Sequence, residues 1–265
     1  MGIVLVALMA TLASAQNTSN PIPGGPSFKD FLRFSCSELN IQRIDPLVTP
    51  GVVPSPHLHQ FVGGNALAPI MDPSLNVSGK ATCTTCTYTE DFSNYWTAVL
   101  FFKARNGSFH RVPLMGNLGL ERQRGGMTVY YTAPYDKKTK VTAFKPGFRM
   151  LIGDPGHSVK LPQVLYETIW DTSAFNDGSI WPADGTQPFV FSMGDPTGYG
   201  WHGDYMFGWK GDALQRAMDR YCGTDCQVLE TQSIEEANMC AEAVVVNEPI
   251  DGWLGAMPGG VDVTS

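Results

Sequence analysis

Asn94-Tyr95-Trp96-Thr97-Ala98-Val99-Leu100-Phe101-Phe102 is the strongest central-strand candidate in the chain. It is long, aromatic and β-branched, the composition of a central strand. Asn106-Gly107 follows, a dipeptide suited to a tight hairpin, and Phe109-His110-Arg111-Val112 reads as the antiparallel return. Further strands are predicted on both sides, at Phe31–Cys36, His57–Val62, Met127–Thr132, Val141–Phe144, Phe148–Asp154, Leu165–Trp170 and Phe189–Met193. Strands at this frequency, with 28 glycines and 19 prolines to turn the chain, predict a mainly β protein. The expected form is an antiparallel β-sandwich or a jelly-roll-like domain.

Helix is scarce. Asp212–Tyr221 carries an acidic cap residue and apolar positions at helical spacing, with Gly223 after its end. Ser233 followed three residues on by Glu236 is a capping-box pattern, which predicts a short second helix over 233–238.

Residues 1–15 read as a signal peptide: the apolar run Ile3–Ala10 precedes Ala13-Ser14-Ala15, a small-x-small cleavage pattern. The mature chain is expected to begin at Gln16, with a loose arm over 16–27, one β-rich domain over 28–254 and a frayed tail over 255–265. About 250 residues are enough for one large all-β domain. No later apolar run approaches the ~20 residues of a transmembrane helix, so a secreted, extracellular protein with no membrane partner is expected. Sequons at Asn17, Asn76 and Asn106 agree with that address. A net charge of −7 without a basic stripe excludes a nucleic-acid partner, and a monomer is expected.

Six cysteines in a secreted chain favour disulfides. Cys83-Thr84-Thr85-Cys86 has the spacing of a zinc knuckle or redox motif, but reads as part of a disulfide framework in an oxidising compartment. One arrangement pairs two of Cys222, Cys226 and Cys240 locally and sends the third to Cys36.

Two short clusters carry three of the five histidines: Pro56-His57-Leu58-His59-Gln60 and Trp201-His202-Gly203-Asp204. In a strand, residues i and i+2 share a face, so His57 and His59 can stand side by side, as can His202 and Asp204. Three imidazoles with an open position suit zinc hydrolysis or copper redox chemistry, with Asp204 as an oxygen ligand or a partner behind the ligands. The competing reading is of two turn-rich loops whose histidines bond locally. His157 is a candidate fourth member, and His110 reads as hairpin surface.

A metal-free route would use paired carboxylates, with Glu167, Asp171, Asp195 and Asp204 as candidates. Asp195 in Gly-Asp-Pro-Thr-Gly and Asp171 before Thr172-Ser173 also fit turn and cap chemistry. Tyr199, Trp201, Tyr205 and Trp209, spaced by glycines, are candidate sugar-binding residues; alternate aromatics of one strand are equally suited to the core.

Taken together, Phe34-Ser35-Cys36, Ile44-Asp45-Pro46-Leu47-Val48, Pro56–Asn65, Cys83–Cys86, Asp91–Ala98, Gly147–Met150, Leu161-Pro162-Gln163 and Gly194–Tyr205 resemble the secreted fungal family known as domain of unknown function 1996. The resemblance implies a secreted, often glycosylated protein in a polysaccharide context, and no particular reaction. Members of that family carry a further segment with a Cys-Trp-Asp-Gly motif and additional histidines and cysteines. Here Gly153-Asp154-Pro155 runs through Gly156-His157-Ser158 directly into Leu161, either a shortened natural form or a gene-model deletion. The resulting expectation is a secreted hydrolase acting on cell-wall or plant polysaccharide through a site at His57, His59, His202 and Asp204, with a divalent metal, zinc or copper, on the three histidines. The alternative is a noncatalytic, wall-associated glycan-binding protein.

Overall fold

A computed structural model of the chain describes residues 31–132, 141–150, 161–220 and 222–264. The expected signal peptide, the N-terminal arm, Asn17 and His157 lie outside the described residues.

The protein is mainly β, built of antiparallel sheets. The largest contains β2 (Glu38–Gln42), β3 (His59–Gly63), β4 (Asn94–Ala98), β13 (Gly203–Met206) and β9 (Arg149–Met150), paired in that order. A three-stranded sheet has β8 (Met127–Thr132) between β1 (Phe31–Cys36) and β10 (Gln163–Glu167). Alternation decides how the two meet. Val62, Tyr95 and Tyr205 project from one face of the large sheet onto Leu32, Phe34, Val129 and Tyr131, a sandwich core. Phe61, Trp96 and Met206 project from the opposite face and are covered by Leu67, Met71 and Val77.

The central-strand candidate is two strands, not one. β4 belongs to the large sheet, whereas β5 (Leu100–Lys103) pairs with β12 (Phe189–Phe191) and β6 (Phe109–Arg111), and β14 (Trp253–Leu254) extends that sheet. Between them, Val99 donates its N–H to the Leu58 carbonyl and accepts from the Ser192 N–H at 2.8 Å. The chain thus changes partners at Val99 without losing its backbone hydrogen bonds. Asn106-Gly107 makes the expected hairpin tip, with Gly107 at φ +86°. Asn76 and Asn106 are both exposed.

The stretch expected as one strand over 165–170 breaks at Thr168 into β10 and β11 (Ile169–Trp170), which pairs with β7 (Leu114–Met115). Residues 141–144 form no strand; Val141 and Phe144 are buried without a ladder.

Both expected helices form, as α2 (Ala213–Asp219) and α3 (Ile234–Met239), beside an unforeseen single turn, α1 (Val77–Lys80). α2 buries Ala213, Leu214 and Ala217 in the sandwich core. α3 starts at the reciprocal cap: Ser233 Oγ accepts the Glu236 N–H at 3.1 Å, and Glu236 Oε2 accepts the Ser233 N–H at 2.9 Å. No helix among the described residues is long and apolar enough to cross a membrane.

All six cysteines are paired, and the expected arrangement holds in part. Cys222–Cys226 is the expected local bridge. Cys240 joins Cys83, not Cys36, and Cys36 joins Cys86. Cys83 and Cys86 therefore serve two different disulfides; between them Thr84 bridges to Gly64, and Cys86 itself bridges to Cys36 in the backbone. The C-terminal segment expected to fray is anchored: Met257 is buried, and Thr264 donates its N–H to the Gly194 carbonyl at 2.8 Å.

Candidate metal centre

The two histidine clusters come together on the large sheet. His59 pairs with Ala98 of β4, and Gly203 on the far side of β4 pairs with Thr97, so His202 is placed beside Ala98 too. Strands two apart are about 10 Å apart. The single methyl of Ala98 between them leaves a notch into which both rings can lean. Phe61 and Asp204 flank Trp96 in the same way one layer further along. His57 precedes β3 and stacks near both other rings, with centroid distances of 4.2 Å to His59 and 5.3 Å to His202.

Each ring is held by the same nitrogen. His59 Nδ1 lies 2.9 Å from the Ile44 carbonyl and His202 Nδ1 lies 2.8 Å from the Gly200 carbonyl. A carbonyl only accepts, so both Nδ1 atoms carry the proton and each Nε2 keeps its lone pair. Ser192 spends its one proton on the Leu58 carbonyl at 2.6 Å, so its contact with His57 Nδ1, at 3.4 Å, has histidine as the donor. Anchoring Nδ1–H to a carbonyl or hydroxyl while Nε2 stays free is how metal-binding histidines are oriented.

One donor atom from each of the three rings lies within 4.8 Å of the others. Ligands about 2.1 Å from one tetrahedral ion stand about 3.4 Å apart, so the rings would draw together by up to about 1.4 Å to hold it. His59 is fully buried and its Nε2 has no hydrogen-bond partner; the same holds for Oδ2 of buried Asp204. Asp204 Oδ2 stands 3.9 Å from His202 Nε2, and Asp45 Oδ2 stands 4.0 Å from His59 Nε2. These residues fit a metal: an inert core histidine would have its buried nitrogen satisfied.

The electrostatics agree with neutral imidazoles at His57 and His59. Burial lowers the His59 pKa well below the ordinary range, and the His57 and His202 rings lower it further. Burial and then the His202 ring lower that of His57. Burial raises the Asp204 carboxyl to about 6, against the opposing pull of His202. A second grouping, Cys36, Cys86 and Asp91, offers no metal site because both sulfurs are joined to each other.

The candidate sugar-binding residues separate. Tyr199 is 93% exposed and Trp201 is half-buried, whereas Tyr205 and Trp209 are each 1% exposed. Tyr205 and Trp209 are core, not platform: Tyr131 donates to Tyr205 Oη, and Trp209 Nε1 donates to Tyr131 Oη. Asp195 and Asp171 have turn roles, accepting the N–H groups of Thr197 and Ser173 at 2.7 and 2.9 Å. Glu167 accepts from Asn117 and Tyr130. His110 sits between Phe175 and Trp253, away from the cluster. Asp45, Ser192 and the Ile44 and Gly200 carbonyls complete the site and are not visible as a pattern in the sequence.

The family model described as "Domain of unknown function (DUF1996)" matches residues 45–157 and 154–209, and the chain belongs to that family. The two matches meet at 154–157, where the sequence runs directly from Gly153-Asp154-Pro155 toward Leu161. The match includes all three histidines, Asp45 and Asp204. No curated protein and no solved structure matched the chain.

Proposed function

We propose that this protein is a secreted, metal-dependent hydrolase of cell-wall or plant polysaccharide, with His57, His59 and His202 as metal ligands. The observation that carries the reading is the convergence of three imidazoles whose Nδ1 atoms are tied down, leaving a buried, unpartnered Nε2 on His59. A divalent metal such as zinc or copper, when bound, supplies Lewis acidity and an acidified water. Asp204 Oδ2, unpartnered and beside His202, is placed to take the proton of an attacking water. Copper oxidases that ligate through an N-terminal histidine fit less well, since the expected mature terminus is Gln16.

Three disulfides and two exposed sequons support folding in an oxidising compartment and hence secretion. Exposed Tyr199, three residues before His202 in the chain, offers a ring on which a sugar can stack, which supports a glycan substrate, while Trp201 packs against the core. The test is product analysis on a panel of wall glucans and plant polysaccharides, comparing the protein with His202→Ala and with chelator-treated protein. Soluble oligosaccharide from the native protein alone supports hydrolysis. Glycan pull-down without product in any sample moves the function to noncatalytic binding.

A further inference from the structure

We infer that Asp45 is the fourth protein ligand of this centre, so that three imidazole nitrogens and one carboxylate oxygen hold a borderline divalent metal such as zinc, cobalt or iron(II). The inference rests on the metal-centre reading above and extends it to a residue on a different loop. Asp45 is buried, at 5% exposure. Its Oδ1 accepts the N–H groups of Leu47 and Val48, both at 3.0 Å, which fixes the carboxylate plane. Its Oδ2 then faces His59 Nε2 at 4.0 Å.

That confrontation needs an explanation. His59 Nδ1 keeps its proton and donates it to the Ile44 carbonyl, so Nε2 presents a lone pair, and a carboxylate oxygen is also only an acceptor. Two acceptors aimed at each other in a dry site repel unless a cation lies between them. At 4.0 Å they are too far apart for a hydrogen bond, and closing by about 0.6 Å brings them to the ~3.4 Å between two ligands of a tetrahedral ion. The adjacent residue Ile44 anchors the same ring, so one short segment orients the histidine and supplies the carboxylate. One carboxylate with three neutral imidazoles leaves a divalent ion with net positive charge and open positions for water and substrate, the donor mixture that suits borderline metals.

The experiment is a titration of the metal-stripped full-length protein with Co²⁺, followed by visible absorbance, for the native chain and Asp45→Asn. Asparagine keeps an Oδ1 acceptor for the Leu47 and Val48 turn and removes the charge. Thermal melts establish that the variant is folded, and Asp45→Ser replaces it if it is not. Partners behind the ligands are worth about 10–100-fold in metal affinity, so loss of a direct ligand should exceed about 100-fold. It should also change the shape of the cobalt bands, because an oxygen has left the coordination sphere. A smaller loss with unchanged bands overturns Asp45 as a ligand and leaves the three-histidine centre standing. Failure of the native protein to bind Co²⁺ overturns the centre itself.

Discussion

Asp91→Asn should remove a pH dependence of stability that the wild type carries. Asp91 is fully buried, its Oδ1 accepts the Ser93 N–H at 3.0 Å, and Tyr95 Oη donates to its Oδ2 at 2.7 Å. Tyr95 is bonded in turn to Tyr131, and Tyr131 to Tyr205, so the polar chain ends in neutral phenols with no cation. Burial raises the Asp91 carboxyl from 3.8 to about 7, outweighing the hydrogen bonds from Ser93 and Tyr95 that favour the anion. The sign follows from linkage. Between these two values the folded protein holds a proton that the unfolded chain has released, so stability is greatest below pH 4 and falls as pH rises toward 7. At about 1.4 kcal/mol per pH unit, the fall attributable to this group is about 4 kcal/mol, or roughly 10 °C in Tm for a chain of this size. Other carboxylates, such as Asp195 and Glu236, have lowered pKa values and act in the opposite sense in acid, so the quantity to read is a difference. Melting both proteins by circular dichroism from pH 4 to pH 8 should show Asp91→Asn gaining about 10 °C on the wild type across that range. A Tm difference that stays constant from pH 4 to pH 8 would show that the folded protein does not hold this proton there, as for a carboxyl kept as an anion, and a variant that loses ground on the wild type would reverse the sign; either refutes the reasoning.

Three further outcomes follow from the packing. Cys83–Cys240 closes 157 residues and Cys222–Cys226 only 4, so chain entropy assigns about 5 and about 2 kcal/mol to them. Urea midpoints of the two double alanine variants should rank accordingly, and equal losses would contradict that assignment. Trp209→Ala should cost about 3–5 kcal/mol as a core truncation, whereas exposed Tyr199→Ala should leave the melt unchanged and weaken only glycan retention on an affinity gel. Ala98→Leu should fill the notch between His59 and His202, costing about 1–3 kcal/mol in stability and, disproportionately, at least about tenfold in Co²⁺ affinity. Unchanged cobalt binding in that variant would show that the rings do not meet over residue 98.

The site was legible to the extent that it depends on strand periodicity. His57 with His59, and His202 with Asp204, are i,i+2 pairs; β3 and β13 set His59 and Asp204 on one face, and the His57 ring lies 4.2 Å from that of His59. What joins them is the placement of β13 and β3 on either side of β4, a nonlocal pairing that no short window of sequence encodes. Asp45 escaped notice for the same reason: its neighbours in space come from strands and loops distant in the chain, while its local setting reads as an ordinary Asp-Pro turn. Tyr205 and Trp209 were ambiguous because an alternating aromatic face serves a core and a sugar equally well, and only burial separates the two. The break at Val99 was hidden because Asn94–Phe102 is buried on both faces, which erases the alternation that would mark a change of sheet. The capping box at Ser233 and Glu236, by contrast, is wholly local and was readable outright.

Elemental analysis of the purified protein beside a His57→Ala/His202→Ala double variant shows whether His57, His59 and His202 hold a metal. Close to one zinc, copper or other divalent transition-metal ion is expected per folded native chain and none in the folded variant. A native protein that stays metal-free after exposure to these ions, or a variant that keeps the metal in full, would contradict that expectation.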